Sequence, residues 1–127
     1  MSHFSFLNVK ISNPDISILK RAIEILAREL NGSVSDAVYD YYGNKMSVIA
    51  GVVGGSFRRG IGVVINKDGG VSVVGDFYGV SRDAVDDFVA RLTQLYTSIA
   101  ISESLREMGY IVASEEKQGE IYIHAVG

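Results

Sequence analysis

Between Lys45 and Tyr78 the chain is built largely from valine, isoleucine and glycine, in the runs "KMSVIAGVV", "GIGVVIN" and "VSVVGDFY" broken by "GGSFRRG" and "KDGG". β-Branched side chains are stiff at χ1 and fit a pleated surface, while glycine-rich breaks mark turns. Short connections between consecutive runs make them antiparallel neighbours, so this stretch reads as a meander of hairpins. Its runs are apolar on both sides. By strict alternation Met46, Val48, Ala50 and Val52 share one face and Ile49 and Val53 the other. Ile61, Val63 and Ile65 likewise oppose Val64, and Val71, Val73 and Phe77 oppose Val74 and Tyr78. A strand with one wet face alternates apolar with polar residues, and these do not.

The flanks supply the helices. Phe4–Ile11 reads as a first strand whose alternation slips near Phe6-Leu7, as at a bulge. Asn13-Pro14-Asp15 offers a capping side chain and a proline suited to a first helical turn. Leu19, Ala22, Ile23, Leu26 and Leu30 follow at helical spacing, and Asn31-Gly32 closes the element. "VSDAVYDYY" is a second strand. Ser81 opens another helix with Asp83, Asp86 and Asp87 near its start, where the helix dipole favours carboxylates. Val85, Phe88, Val89, Leu92, Leu95, Tyr96 and Ile99 form its apolar face. Thr97-Ser98 marks a point where it kinks or splits, with a second piece carrying Ile101, Leu105 and Met108 to a stop at Gly109. Glu120–Val126 is a last strand, with Ile121, Ile123 and Ala125 on one face and Tyr122 and His124 on the other.

The resulting order, β-α-β-β-β-β-α-β, predicts a single α+β domain spanning residues 1–127, with an antiparallel-rich sheet of five to six strands. Helices fall mainly on one face, as in an expanded ferredoxin-like unit, and the first and last strands are expected side by side. If both helices cover one face, the other needs a second shield. Each exposed valine or isoleucine forgoes roughly 1.5–3 kcal/mol, and large apolar patches are unusual on monomers. Homo-oligomerisation through the sheet is the expected solution, with Ile49, Val53, Val64 and Val74 at the interface.

Composition narrows the function classes. Twelve basic and 15 acidic residues leave a net charge of −3, against the basic excess typical of nucleic-acid binders. No apolar run approaches the length of a membrane span, and the N-terminus lacks the pattern of a signal peptide, so a cytoplasmic location is expected. There is no cysteine, which removes thiol nucleophiles and thiolate metal sites.

The sites with chemical potential are few. "GGSFRRG" carries Arg58 and Arg59 between glycines, but it lacks the Gly-Lys-Ser/Thr and following helix of a phosphate loop. It reads first as a hairpin turn with its arginines on a solvated tip. The alternative is a small anionic-ligand site formed by Arg58, Arg59 and Lys67 at neighbouring tips. His3 and His124 would approach if the terminal strands paired, giving with Glu103 or Glu120 a metal site, although no ligand spacing supports one. Asp76 beside Tyr78 is either a catalytic carboxylate at a strand end or, more simply, a cap for loop N–H groups. Tyr39, Tyr41 and Tyr42 split across both faces of a strand and suit a core or an interface. No nucleophile–base constellation is recognisable, and neither an enzyme nor a cofactor is expected.

Five stretches, "MSHF", "LKRAIEIL", "GDFYGV", "LYTSIAISESLREMGY" and "GEIYIHAV", together resemble the Ycf35-like family (DUF1257), a domain without an established activity. The resemblance spans nearly the whole chain, with "MSHF" and "DFYG" its more specific blocks, and it supplies no catalytic residues. It implies an accessory role beside AAA-type ATPases, which makes such an ATPase the expected protein partner.

Overall fold

The computed structural model describes residues 3–127; Met1 and Ser2, which open the "MSHF" block, lie outside the described residues. Its elements run β1 (Ser5–Ser12), α1 (Ile16–Glu29), β2 (Ser33–Tyr39), β3 (Lys45–Gly54), β4 (Phe57–Ile65), β5 (Gly70–Gly75), α2 (Arg82–Glu107), β6 (Ile111–Lys117) and β7 (Glu120–Val126). The architecture is α+β, with every strand pairing antiparallel. Five strands form one sheet in the order β1-β5-β4-β3-β2, and β6-β7 form a separate hairpin.

The helix boundaries follow their capping chemistry. Asp15 accepts the Ile18 N–H at 3.2 Å and Ser81 accepts the Ala84 N–H at 3.1 Å, each satisfying an otherwise orphaned donor. At the far end of α1, Asn31 adopts φ 54° and the Gly32 N–H reaches back to the Ala27 carbonyl at 2.8 Å. Helix α2 runs unbroken through Thr97-Ser98. Hydroxyls in this part of the helix bond back to its own carbonyls, Thr93 to Val89 and Ser98 to Leu95, so they add no competing conformation.

Both helices lie on one face of the five-stranded sheet. Leu19, Ile23 and Leu26 of α1 and Phe88, Leu92 and Leu95 of α2 meet Val9, Val52, Ile61, Val63, Val71 and Val73 in one buried cluster. The ring of Phe57 meets that of Phe88 edge-on at 5.6 Å, an arrangement that suits the ring quadrupoles.

The opposite face is sheltered by the sheet itself. Strand β2 bends until it contacts β4, although β3 lies between them in the hydrogen-bonded order. A Cβ placed on Gly60 would lie 3.0 Å from Val38 and 3.2 Å from Val53, and one on Gly62 would lie 2.9 Å from Val48. These glycines are therefore the hollows into which the curled strands drop their valines. Val38 and Val74 are fully buried as a result.

The four residues expected at a sheet-to-sheet interface are thus redistributed. Val74 is enclosed within the chain, between Phe6 and Gly62 in the register, and Ile49 packs toward the helices. Val53 and Val64 remain half-buried. The parity that placed Ile49 outside fails at a bulge. Register with β2 shifts between Ser35 and Ala37, the extra residues lie on β3, and Ile49 and Ala50 both turn to the core.

Two further expectations change. Strand β7 pairs with β6, from Ile111↔Val126 to Lys117↔Glu120, and not with β1. The bulge in β1 falls between Val9 and Ser12, not at Phe6-Leu7, so Leu7, Val9 and Ile11 all turn inward.

Candidate functional site

The end of the main sheet where β3 meets β4 carries the most distinctive surface. The turn is tighter than the glycine count suggests, because Gly54 already pairs with Phe57 and Gly55-Ser56 form its tip. Arg58 and Arg59 consequently lie within β4 and not on a solvated tip. The register shifts between Val52 and Gly54, where three residues, Arg58–Gly60, lie opposite Val53 alone, with Gly60 at φ 96°. A bulge of this kind re-aims side chains. Here Arg58 faces solvent and Arg59 turns across the sheet end.

Arg59 closes a strap. Its Nη2 donates to the Tyr78 carbonyl and, at 3.3 Å, to that of Asp76. Its Nε is buried without a hydrogen-bond partner, 4.0 Å from Asp76 Oδ2. Asp76 is itself almost fully buried, and its oxygens accept the Tyr41 N–H at 2.7 Å and the Tyr78 N–H at 3.1 Å. Asp76 caps loop N–H groups, as its plain reading has it. Its carboxylate is committed to loop backbone, while Phe77 packs against the core.

Above this strap stand three exposed tyrosines. Tyr41 and Tyr42 leave the strand and occupy the β2–β3 turn, where the rings meet at 5.4 Å; Tyr41 meets Tyr78 at 5.9 Å, both pairs edge to face. The Arg59 guanidinium lies 5.8 Å from the Tyr41 ring centre. Asp40 shapes the turn: Oδ2 accepts the Asn44 side-chain amide at 2.8 Å, and Oδ1 accepts the Asn44 and Tyr42 N–H groups. The Asn44 side chain foremost, helped by these backbone donors, holds the Asp40 carboxyl below the usual aspartate value despite some opposing desolvation. Beside the tyrosines, Arg58, Arg59, Asp76, Tyr41 and Tyr78 line a cleft of about 470 Å³.

Other candidate groupings come apart. Lys67 lies in the β4–β5 turn, at the other end of β4 from Arg58 and Arg59, because successive hairpin turns alternate ends of an antiparallel sheet. His3 precedes β1, whereas His124 sits on β7 with Nε2 3.3 Å from Glu115 Oε1, so the strand pairing that would have joined the histidines does not exist. Glu103 instead pairs with Arg21, and Glu120 accepts the Tyr122 hydroxyl at 2.8 Å. Among the described residues no group of three metal-ligating side chains forms. No helix among them is long and apolar enough to cross a membrane.

The cluster of Tyr41, Tyr42 and Tyr78 was only half legible. Tyr41-Tyr42 were visible as a pair, but nothing local signals that Tyr78, on the far side of the meander, joins them.

In comparisons with known proteins, no family model matches this chain, and no curated protein or solved structure matches it.

Proposed function

We propose that this chain is a non-enzymatic interaction module that docks an acidic segment of a larger protein on the tyrosine–arginine cluster. The observation that carries this reading is the set of three exposed tyrosines, Tyr42 and Tyr78 each edge to face with Tyr41 and the Tyr41 ring against the Arg59 guanidinium, with Arg58 beside them. Tyrosine and arginine dominate protein-binding hot spots because they offer large amphipathic area with few rotatable bonds. Here the strap through Asp76 and Arg59 fixes the backbone beneath the rings, so less ordering remains to be done on binding. Arg58 and Arg59 favour a carboxylate-bearing partner over a basic one. The resemblance to Ycf35-like proteins supports an AAA-type ATPase as the larger protein.

A small anionic ligand in the same cleft is the second reading, favoured by the two arginines that line it. Arg59 is already engaged with two carbonyls, which leaves Arg58 as the principal contact and argues for a larger ligand that also uses the tyrosines.

The test is a titration of the intact chain with a fluorescently labelled Asp/Glu-rich peptide containing one aromatic residue, in parallel with inorganic pyrophosphate. Peptide binding that is lost in Tyr42→Ala and Arg58→Ala supports docking. Pyrophosphate binding that depends on Arg58 but not on Tyr42 supports the small ligand. Binding of neither abandons the site.

A further inference from the structure

We propose that the free edge of β7 is a homodimer interface, on which a second copy of this chain adds its own β7 antiparallel. This surface is separate from the tyrosine cluster and does not depend on it. Among the described residues four strands have an unpaired side, namely β1 and β2 at the margins of the main sheet and both strands of the hairpin. Three of these are defended in the ways that discourage strand addition. β1 carries Lys10 and a bulge between Val9 and Ser12. β2 carries Asp36, and the Ser35 hydroxyl occupies both the N–H and the carbonyl of Ala37. β6 ends in Glu115-Glu116-Lys117. From Ile121 to Val126, β7 has no acidic residue, lysine, arginine, proline or bulge.

The β7 sequence is also self-complementary, and this identifies the occupant. Antiparallel pairing centred on Ile123 sets Ile121 opposite Ala125 and Tyr122 opposite His124, with Glu120 opposite Val126 only at the strand ends, so apolar meets apolar on the α2 side. The same operation on β6 sets Val112 against Glu116 and Ala113 against Glu115, mixing apolar and charged positions throughout.

A ready-made seat lies alongside. A groove of about 450 Å³ is lined by Thr93, Gln94, Thr97, Ser98 and Ile101 of α2 and by Glu120, Ile121 and Ile123 of β7. No β6 residue contributes, which sets the groove on the unpaired side of β7. Alternate side chains of an added strand point the same way, so Ile121, Ile123 and Ala125 of the incoming copy enter this groove. The two-fold axis of an antiparallel strand pair stands perpendicular to the sheet and keeps both α2 helices on one face. The α2 stripe through Thr97 and Ile101, the latter 46% exposed, then faces its symmetry mate. A lone two-stranded hairpin is marginal in water, and pairing converts two of them into a four-stranded sheet.

Light scattering across a concentration series is expected to show a species of twice the 13.8 kDa chain mass. Ile101→Glu, at a helix position 46% exposed, should raise the dimer dissociation constant at least about tenfold, with circular dichroism checking that the variant is folded. The chain has no cysteine, so Ile123→Cys gives a clean report: mild oxidation should yield a covalent dimer, while Asp36→Cys on the β2 edge should not. A monomer at every concentration overturns the proposal. So does a dimer that ignores Ile101→Glu, or one that cross-links through position 36 and not 123 while circular dichroism shows both variants folded. Acidic-peptide binding by Ile101→Glu reads the tyrosine cluster separately.

Discussion

The Asp76 carboxylate accepts the Tyr41 N–H at 2.7 Å, joining the β2–β3 turn to the end of β5 across 35 residues of sequence. The same side chain takes the Tyr78 N–H, so one buried group holds both backbones that present the tyrosines. Asp76→Ala leaves these two donors without their acceptor, and the Arg59 guanidinium without its counter-charge, in a nearly closed space. The expected cost is about 2–4 kcal/mol, read as a lower urea midpoint with an unchanged m-value. Asp76→Asn, which keeps one acceptor oxygen, should fall between the two.

Acid should loosen the tyrosine turn before it unfolds the domain. The Asp40 carboxyl is held below its ordinary value when folded, so its contribution is complete above the unfolded aspartate value and lost as pH falls through the folded one. Amide resonances of Tyr42 and Asn44, both bonded to Asp40 Oδ1, should titrate together in that acid range and exchange faster below it. Asp40→Asn should abolish the titration.

Close packing of the second sheet face makes its glycines irreplaceable. A Cβ on Gly51 would sit 2.8 Å from the Ile61 carbonyl oxygen and 3.1 Å from Gly62 Cα, both backbone atoms of the paired strand. Gly51→Ala should therefore destabilise by about 1–3 kcal/mol through forced backbone displacement. Thermal denaturation is the check, and a melting temperature within a degree of wild type would contradict the account.

Arg91 is the clamp between the C-terminal hairpin and the rest of the chain. Its guanidinium bonds both oxygens of Glu29 on α1, at 3.0 and 2.6 Å, and Glu116 on β6 at 2.9 Å. These contacts, Glu29 first, raise its pKa above the ordinary arginine value, so it stays charged throughout the working pH range. Arg91→Ala should cost about 1–2 kcal/mol after allowance for solvent screening of the partly exposed carboxylates. Hydrogen exchange should rise selectively in β6 and β7. Lysine, lacking the planar fork, should restore only part of the loss.

Capping and periodicity are largely readable: Ser81 starts α2, while α1 starts from Asp15 with Pro14 just before the cap and not in the first turn, and the β7 alternation matches its burial at Ile121 and Ile123 but not at exposed Ala125. Non-local geometry is not. β6 was missed because "IVASEEK" loses its apolar alternation halfway, although Gln118-Gly119, at φ 52° and 79°, carries the chemistry of a two-residue hairpin turn. Counting valines on both sides of the meander was correct, but the step from there to a wet face assumed a flat sheet. Gly60 and Gly62 lack the side chains that would hold β2 away, and the strand closes over them. Arg59 lies in a strand and not on a tip because Gly54 already pairs with Phe57, so the glycine count overstates the length of the turn.

Helix α2 is about 39 Å long for its 26 residues. Over one stretch it packs both on α1, through Arg91 to Glu29 and Glu103 to Arg21, and on the hairpin, through Arg91 to Glu116 and Gln94 to the Gly119 carbonyl. The hairpin therefore lies alongside α2, and Ile121 of β7 packs against the core of the curled sheet. Two chains joined at hairpins so firmly seated would hold a pair of tyrosine clusters at a fixed separation, and a partner offering repeated acidic segments would be gripped at both ends with an avidity that neither cluster has alone.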